Sequence, residues 1–415
     1  MDSALAAFIG LCVSIILIIR KVSPVYSLII GAIIGGLFSG WGLEKTVAEM
    51  ITGIKDITPA IIRIIAAGVL IGMLVVTGAA STIAKSIINA MGAKYIYFAL
   101  ALSALILTAM GVFIDVAVIT IAPIAIISGS KLKLSRAKLL LAMVGGGKCG
   151  NIISANPNTI IAAENFDASL PSVMMANIVP ALIGLIVVVF IIVPLIPKGM
   201  LIEGEINDDN DEKLPSLWSS LAGPIITIAL LALRPIADIV IDPMIALPIG
   251  GLIGIITTGN AKTLSKCLSY GLEKMSGIAI LLVGTGTIAG IIKASTIKDV
   301  LVNLLSGWSE GGTFMAPISG ALMSAATAST TAGATIASAS FSDAILAAGV
   351  SAIWGAAMIN SGATVLDHLP HGSFFHATGG SMGMDVNARL KLIPFETLIG
   401  LVLALGSVAT YMIIG

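Results

Sequence analysis

Gly145–Thr159 reads GGGKCGNIISANPNT. The flanking apolar sequence predicts a membrane-spanning helix here, yet the run carries what such a helix avoids. It has glycines at 145, 146, 147 and 150, Lys148, asparagines at 151, 156 and 158, and Pro157. Backbone inside a bilayer has no water to bond, so a helix broken at that depth must be buried in protein or face a watery cavity. The run is therefore expected to be a discontinuous helix at a binding site, a device of secondary transporters. A counterpart lies in the second half: Trp354–Pro370, WGAAMINSGATVLDHLP.

Composition agrees with the bilayer as the chain's surroundings. Of 415 residues, 57% are hydrophobic and 11% charged, with a mean hydropathy of +1.08. Soluble domains carry about 25% charged residues, so this is an integral membrane protein. Apolar runs of about 20 residues recur, each long enough to span as a helix. The alternating segments of about ten residues that build a transmembrane β-barrel are missing. A net charge of zero offers no basic field to nucleic acid. Cys12, Cys149 and Cys267 lack metal or disulfide spacing, and no cofactor is implied. The first apolar run has no basic n-region or cleavage site, so it is expected to be a retained helix.

In chain order, spans are expected over Ser3–Ile19, Pro24–Trp41 and Ile61–Ile88, with an amphipathic interface helix over Leu43–Thr58. Tyr97–Ser128 contains MGVFIDV and no polar linker, which predicts a re-entrant hairpin with Asp115 at its tip. The broken span covers Leu139–Ala163, and another span Ser172–Ile196. Residues 201–216 form an acidic linker on the cytoplasmic side. The order then repeats: Leu217–Leu233, Pro243–Thr257, an amphipathic piece over Lys262–Lys274, Ile278–Ile292, a hairpin over Met315–Ala339 around TASTTAGAT, a second broken span over Ile345–Pro370, and Ile393–Ile414. Pro24, Gly31, Gly35 and Gly40 match Pro243, Gly250, Gly254 and Gly259 at one constant offset, and AASTI at 79–83 matches KASTI at 293–297. The expected fold is an all-α polytopic membrane protein of two repeats, 1–200 and 217–415, with about ten transmembrane helices, two re-entrant hairpins and broken helices in the fourth and ninth spans.

Five spans per half make the two repeats inverted. With both termini outside, fifteen basic residues fall in inner loops (Lys274 among them) against six outside, the bias that the positive-inside rule describes. Reading the hairpins as full spans would scatter these charges. The small-residue patterns Gly31/Gly35 and Gly250/Gly254 make their helices candidates for a dimer surface.

The chemistry is expected where breaks and hairpin tips meet, because helix ends offer free N–H groups to an anion and free carbonyls to a cation. Asn151, Asn156, Asn158, Thr159, Ser329, Thr330, Thr331, Asn360 and Ser361 are candidates to grip a small hydroxylated or carboxylated solute. The alternative is that Ser and Thr there permit close helix packing. Lys148, costly in a membrane, either meets a solute carboxylate or forms an ion pair with Asp115 or Asp367. Asp115, Asp367, His368 and His371 are candidates to carry a proton, since histidine titrates near neutral pH. His376 is expected to cap a helix. The three histidines lack a metal-site spacing.

GGGKCGNIISANPNTIIAAE, NSGATVLDHLPHGSFFHATGG and RLKLIPFETLIG strongly resemble the gluconate permease (GntP) family of the ion transporter superfamily, and MGVFIDVAVITIAPI is similar to that family's acidic hairpin. The resemblance spans essentially the whole chain. It implies a bacterial inner-membrane symporter for gluconate-like sugar acids or short hydroxy acids, usually proton-driven. It also implies a scaffold, a moving transport domain of the elevator kind, and a homodimer. Lys148 stands where many relatives would carry a histidine or a neutral residue. Sodium coupling is the alternative, since carbonyls of broken helices suit Na⁺. An intramembrane enzyme would need a serine with a base poised beside it or an HExxH motif; the sequence names no such serine–base pair and has no HExxH. A channel fits a buried lysine and scattered acids less well than a gated carrier does.

Overall fold

The computed structural model describes residues 2–197, 214–237, 239–297, 300, 311–370 and 372–415, with backbone alone at 131 and 234–236. The acidic linker lies outside the described residues as far as 213, and so does His371. Among the described residues there is no strand.

The helices are α1 (Ser3–Ile19), α2 (Pro24–Phe38), α3 (Gly42–Val76), α4 (Ala79–Met91), α5 (Ile96–Ala109), α6 (Ile114–Leu132), α7 (Arg136–Asn151) and α8 (Pro157–Asn165). After them comes α9 (Leu170–Leu195), which kinks at Asn177 and carries a π-helical turn over Val188–Ile192. The second half holds α10 (Leu217–Ala237), α11 (Pro243–Thr257), α12 (Leu264–Ala294), α13 (Gly311–Thr327), α14 (Thr330–Ala347), α15 (Ala352–Gly362), α16 (Ser373–Ser381) and α17 (Ile393–Ile414). Among the described residues, four helical stretches are long and apolar enough to cross a bilayer: 42–76, 170–195, 261–294 and 386–414. The pair α4 and α5, bent by 108°, would make a fifth. The 15 residues of α2 and of α11 span only about 22 Å at 1.5 Å per residue, short of a hydrocarbon core of about 30 Å.

Two expectations change. Leu43–Thr58 is not a separate interface helix; α3 runs from Gly42 to Val76 straight through Pro59. It stops at Thr77 because Gly78 turns left-handed at φ +77°, which divides the expected span Ile61–Ile88 between α3 and α4. Likewise α12 continues through Lys274 and Gly277 to Ala294, so Lys274 belongs to a long helix rather than a loop. A hydropathy reading breaks both helices at their charges. The fold keeps them whole because they pack on each other antiparallel, backbone against backbone. A Cβ at Gly53 would meet Gly286 O at 2.0 Å, and one at Gly72 would meet Cys267 O at 2.0 Å. Small residues let membrane helices approach this closely.

The glycines of α2 and α11 are likewise used inside the chain. A Cβ on Gly31 would lie 1.9 Å from Ser14 Oγ of α1, and one on Gly250 1.8 Å from Thr227 Oγ1 of α10. These contacts build a bundle of α1, α2, α3, α10, α11 and α12. A second bundle holds α5 to α9 and α13 to α17. Its centre is two helical hairpins, α5/α6 and α13/α14, against which the broken pairs α7/α8 and α15/α16 pack.

Where the bundles meet, Arg63 of α3 binds Asp242, the N-cap of α11, through Nη2–Oδ2 at 2.7 Å and Nε–Oδ1 at 3.1 Å. It also binds Glu164 of α8. The Arg63 hydrogen bond holds the Asp242 carboxyl below its usual range. A carboxyl lowered in the fold contributes stability above the ordinary carboxylate range and loses it as pH falls through the lowered value. Arg63→Gln is expected to cost on the order of 1 kcal/mol at neutral pH. In melting curves the gap to the parent should close at acid pH; a gap that persists there would assign the loss to packing instead.

Candidate functional site

The first break is held by asparagines. After α7 ends at Asn151, Asn156 caps α8, its Oδ1 accepting from the Thr159 N–H and hydroxyl, both at 3.1 Å. Asn156 Nδ2 donates back to Asn151 O and Oδ1 at 2.8 and 2.6 Å. An amide serves well here, because one end accepts and the other donates. The network crosses to the other half of the chain. Asn360 of α15 accepts from Asn158 Nδ2 at 3.2 Å and donates to Thr159 Oγ1 at 2.9 Å. Thr331 Oγ1 donates to Asn158 Oδ1 at 3.0 Å. Buried polar groups are costly unless paired, so this network locks both broken pairs to the tip of the α13/α14 hairpin.

Lys148 lies in α7, fully buried. Its Nζ reaches Thr364 O and Asp367 Oδ1, both at 2.6 Å, and His368 Nδ1 at 3.0 Å. An ammonium has three N–H donors and no acceptor, so these partners exhaust it and Nδ1 of His368 accepts. The imidazole then donates from Nε2, which lies 3.1 Å from Ile393 O. Asp367 takes a second hydrogen bond on Oδ2, from Thr330 Oγ1 at 2.6 Å. The unwound stretch between α15 and α16 is thereby pinned to α7 on one side and to the hairpin tip on the other.

Beside this cluster a cavity of about 300 Å³ opens between the two hairpin tips and α12. It is lined by Asp115 and its neighbours at the start of α6, by Ala328–Thr331 at the start of α14, and by Ser373 and Phe374 at the start of α16. Asn151, Asp367, Lys274 and Ile278 complete it. Each helix start carries N–H groups without intrahelical partners and a partial positive charge. Three such starts around one cavity favour an anion. Ala328 takes the left-handed turn at the second tip, φ +47°, a conformation in which non-glycine residues are uncommon.

Of the residues expected from sequence, Asn151, Ser329, Thr330, Thr331, Asp115 and Asp367 face this cavity. Lys148, Asn156, Asn158, Thr159, Asn360 and His368 stand behind it in the two networks. Ser361 bonds Met358 O of its own helix and does not line it. His376 is exposed and its ring contacts Pro370 O at 2.9 Å. Sequence reasoning passed over Lys274 and Ser373. Had the helical spacing of Lys262–Lys274 been followed past its lysine, it would have shown that Lys274 belongs to a helix leading into the apolar run.

Comparison with known proteins gives one consistent picture. The family described as GntP family permease matches residues 3–414. An uncharacterized transporter of Haemophilus influenzae is 51% identical over 406 residues, covering 98% of this chain and 97% of its own. The gluconate permease of Pseudomonas aeruginosa is 26% identical, with 72% of each chain covered. The Gnt-II system L-idonate transporter of Escherichia coli is 23% identical, covering 72% of this chain and 74% of its own. Among solved structures, the YdaH transporter of Alcanivorax borkumensis shares the fold with a TM-score of 0.63 at 15% identity, covering 89% of this chain and 87% of its own.

Proposed function

Because the chain belongs to the GntP family of permeases, we propose that it is a secondary active transporter that carries a small organic anion, of the gluconate or short hydroxy-acid class, together with protons. The observation that carries this reading is the cavity ringed by three helix starts and the hydroxyls of Ser329, Thr330 and Thr331. Helix starts suit a carboxylate, and a row of hydroxyls suits a polyol chain. A cavity of about 300 Å³ is at the small end of ligand sites, which fits a solute of a few carbons. Relatives named for gluconate and L-idonate carry solutes of this chemistry.

Proton coupling rests on Asp115. It lines the cavity, and among the described residues no cation lies within ion-pair distance of it. Asp367 is held by Lys148 and Thr330, so it serves the site as a strut. The enclosing element order repeats: α1, α2 and α3 answer to α10, α11 and α12, and each half then presents a hairpin and a broken pair. In our reading these are inverted repeats, 1–200 and 217–415, joined through 201–216. The first bundle is the scaffold, and the hairpin bundle slides against it as an elevator. The protein sits in a bacterial inner membrane with both termini outside, as a homodimer. It acts as a carrier and not as an enzyme.

The test is uptake into proteoliposomes of a labelled panel (gluconate, glycerate, lactate, 3-hydroxybutyrate, citrate) under an imposed pH gradient, with and without Na⁺. A hydroxy acid should accumulate on the pH gradient alone and exchange in counterflow. Accumulation that requires Na⁺ would replace the proton with sodium. A panel that neither accumulates nor exchanges would overturn the substrate class.

A further inference from the structure

We infer that Lys274, on the scaffold helix α12, is the residue that binds the solute's carboxylate, and that it is shared between the solute and Asp115. This rests on the transport reading above and names the ligand-binding cation of that site. A carboxylate in a cavity walled by protein needs a donor with charge to offer. Lys148 has none left, since its three N–H groups are taken by Thr364, Asp367 and His368 and it is fully buried. Among the described residues, Lys274 is the one basic residue lining the cavity. Among the described residues its ammonium makes no hydrogen bond or ion pair and lies 5.4 Å from the centre of the Tyr270 ring one turn earlier. It is exposed, on a flexible four-carbon stem, opposite the three helix starts.

The charges around it give the coupling a physical form. Asp115 on α6 faces Lys274 across the cavity and interacts with it electrostatically beyond contact distance. Tyr270 and Glu273 flank it on α12. Asp367 is already balanced by Lys148, with His368 alongside. Lys274 therefore balances one further negative charge. When Asp115 is ionised, it competes with the solute for that cation, and two carboxylates crowd one ammonium. When Asp115 takes a proton, the competition ends and the solute's carboxylate has Lys274 to itself. Anion and proton then bind together by charge balance, without any group of the solute touching the proton. Thermodynamic linkage makes this reciprocal: the bound anion favours protonated Asp115 to the same degree.

The experiment compares Kd for gluconate between the parent, Lys274→Gln, Lys274→Met and Lys274→Arg, with glucitol as the uncharged probe, across a pH series. Lys274→Gln and Lys274→Met should weaken gluconate binding about 10- to 100-fold, and Lys274→Arg should retain most of it. Glucitol should bind parent and variants alike. Because Lys274 is exposed and unbonded, the unliganded variants should melt with the parent, and two different neutral side chains guard against a local folding fault. Parent-like affinity for gluconate in both neutral variants would overturn the assignment and leave the transport reading standing. A parent that binds no acid of the panel would overturn both.

Discussion

Lys148→Ala is expected to destabilise the protein by about 3–5 kcal/mol, the usual consequence of removing one member of a buried ion pair. Asp367, 2% exposed, would be left with an unpaired charge, and the Thr364 carbonyl would lose its donor. The damage should be local at first. The unwound segment after α15 is held to α7 chiefly through this ammonium, so the second break should loosen before the scaffold does. Asp367→Asn alone should cost a similar amount, because it strands the lysine instead. The double variant Lys148→Met with Asp367→Asn should recover much of the loss. It leaves no unpaired charge at this site, and the introduced amide oxygen can still accept from Thr330. Melting in detergent checks all three, scored against uptake. If Lys148→Ala melts with the parent, the pair does not hold the break together. If the double variant melts no higher than the singles, the loss comes from packing and not from stranded charge.

Asp115→Asn is expected to abolish accumulation on a pH gradient while leaving exchange intact. One proton moving with one monovalent anion supports about tenfold accumulation per pH unit. Without a group that gains and loses the proton, the ratio of inside to outside solute should fall to one. The substituted amide keeps the shape of the hairpin tip, including an acceptor for the Val116 N–H that Asp115 Oδ1 now engages at 2.9 Å. It also removes the charge that competes for Lys274. Gluconate binding in the variant should therefore become independent of pH, at an affinity matching the parent at acid pH. Counterflow of labelled against unlabelled gluconate should persist. Full accumulation by Asp115→Asn would move the proton to another group and sink the charge-balance account of coupling with it.

Much of the fold was legible because helices are local. Ser3–Ile19, Pro243–Thr257 and Ile393–Ile414 read from apolar runs have the same limits in the structure. Both breaks were visible as well, since glycine, asparagine and proline disfavour a continuing helix wherever they occur. The first hairpin was marked by an apolar run with no polar linker, and the second by the small and hydroxyl residues of TASTTAGAT. The long helices α3 and α12 were not legible. Their charged residues look like interruptions to a hydropathy reading, and only the glycine-to-glycine contact between them explains why they continue.

Local sequence was enough to establish a membrane protein of broken helices and hairpins, and it supplied most of the polar residues that collect near one cavity. Which of those residues face the solute came from the packing of distant segments. Lys148 and Asp367 are 219 positions apart in the chain, and no spacing rule connects them. Whether a buried lysine meets a ligand or an aspartate depends on which partner the fold brings within hydrogen-bond reach of its three donors. Once those donors were taken, the unpaired charge lining the cavity passed to Asp115 and Lys274.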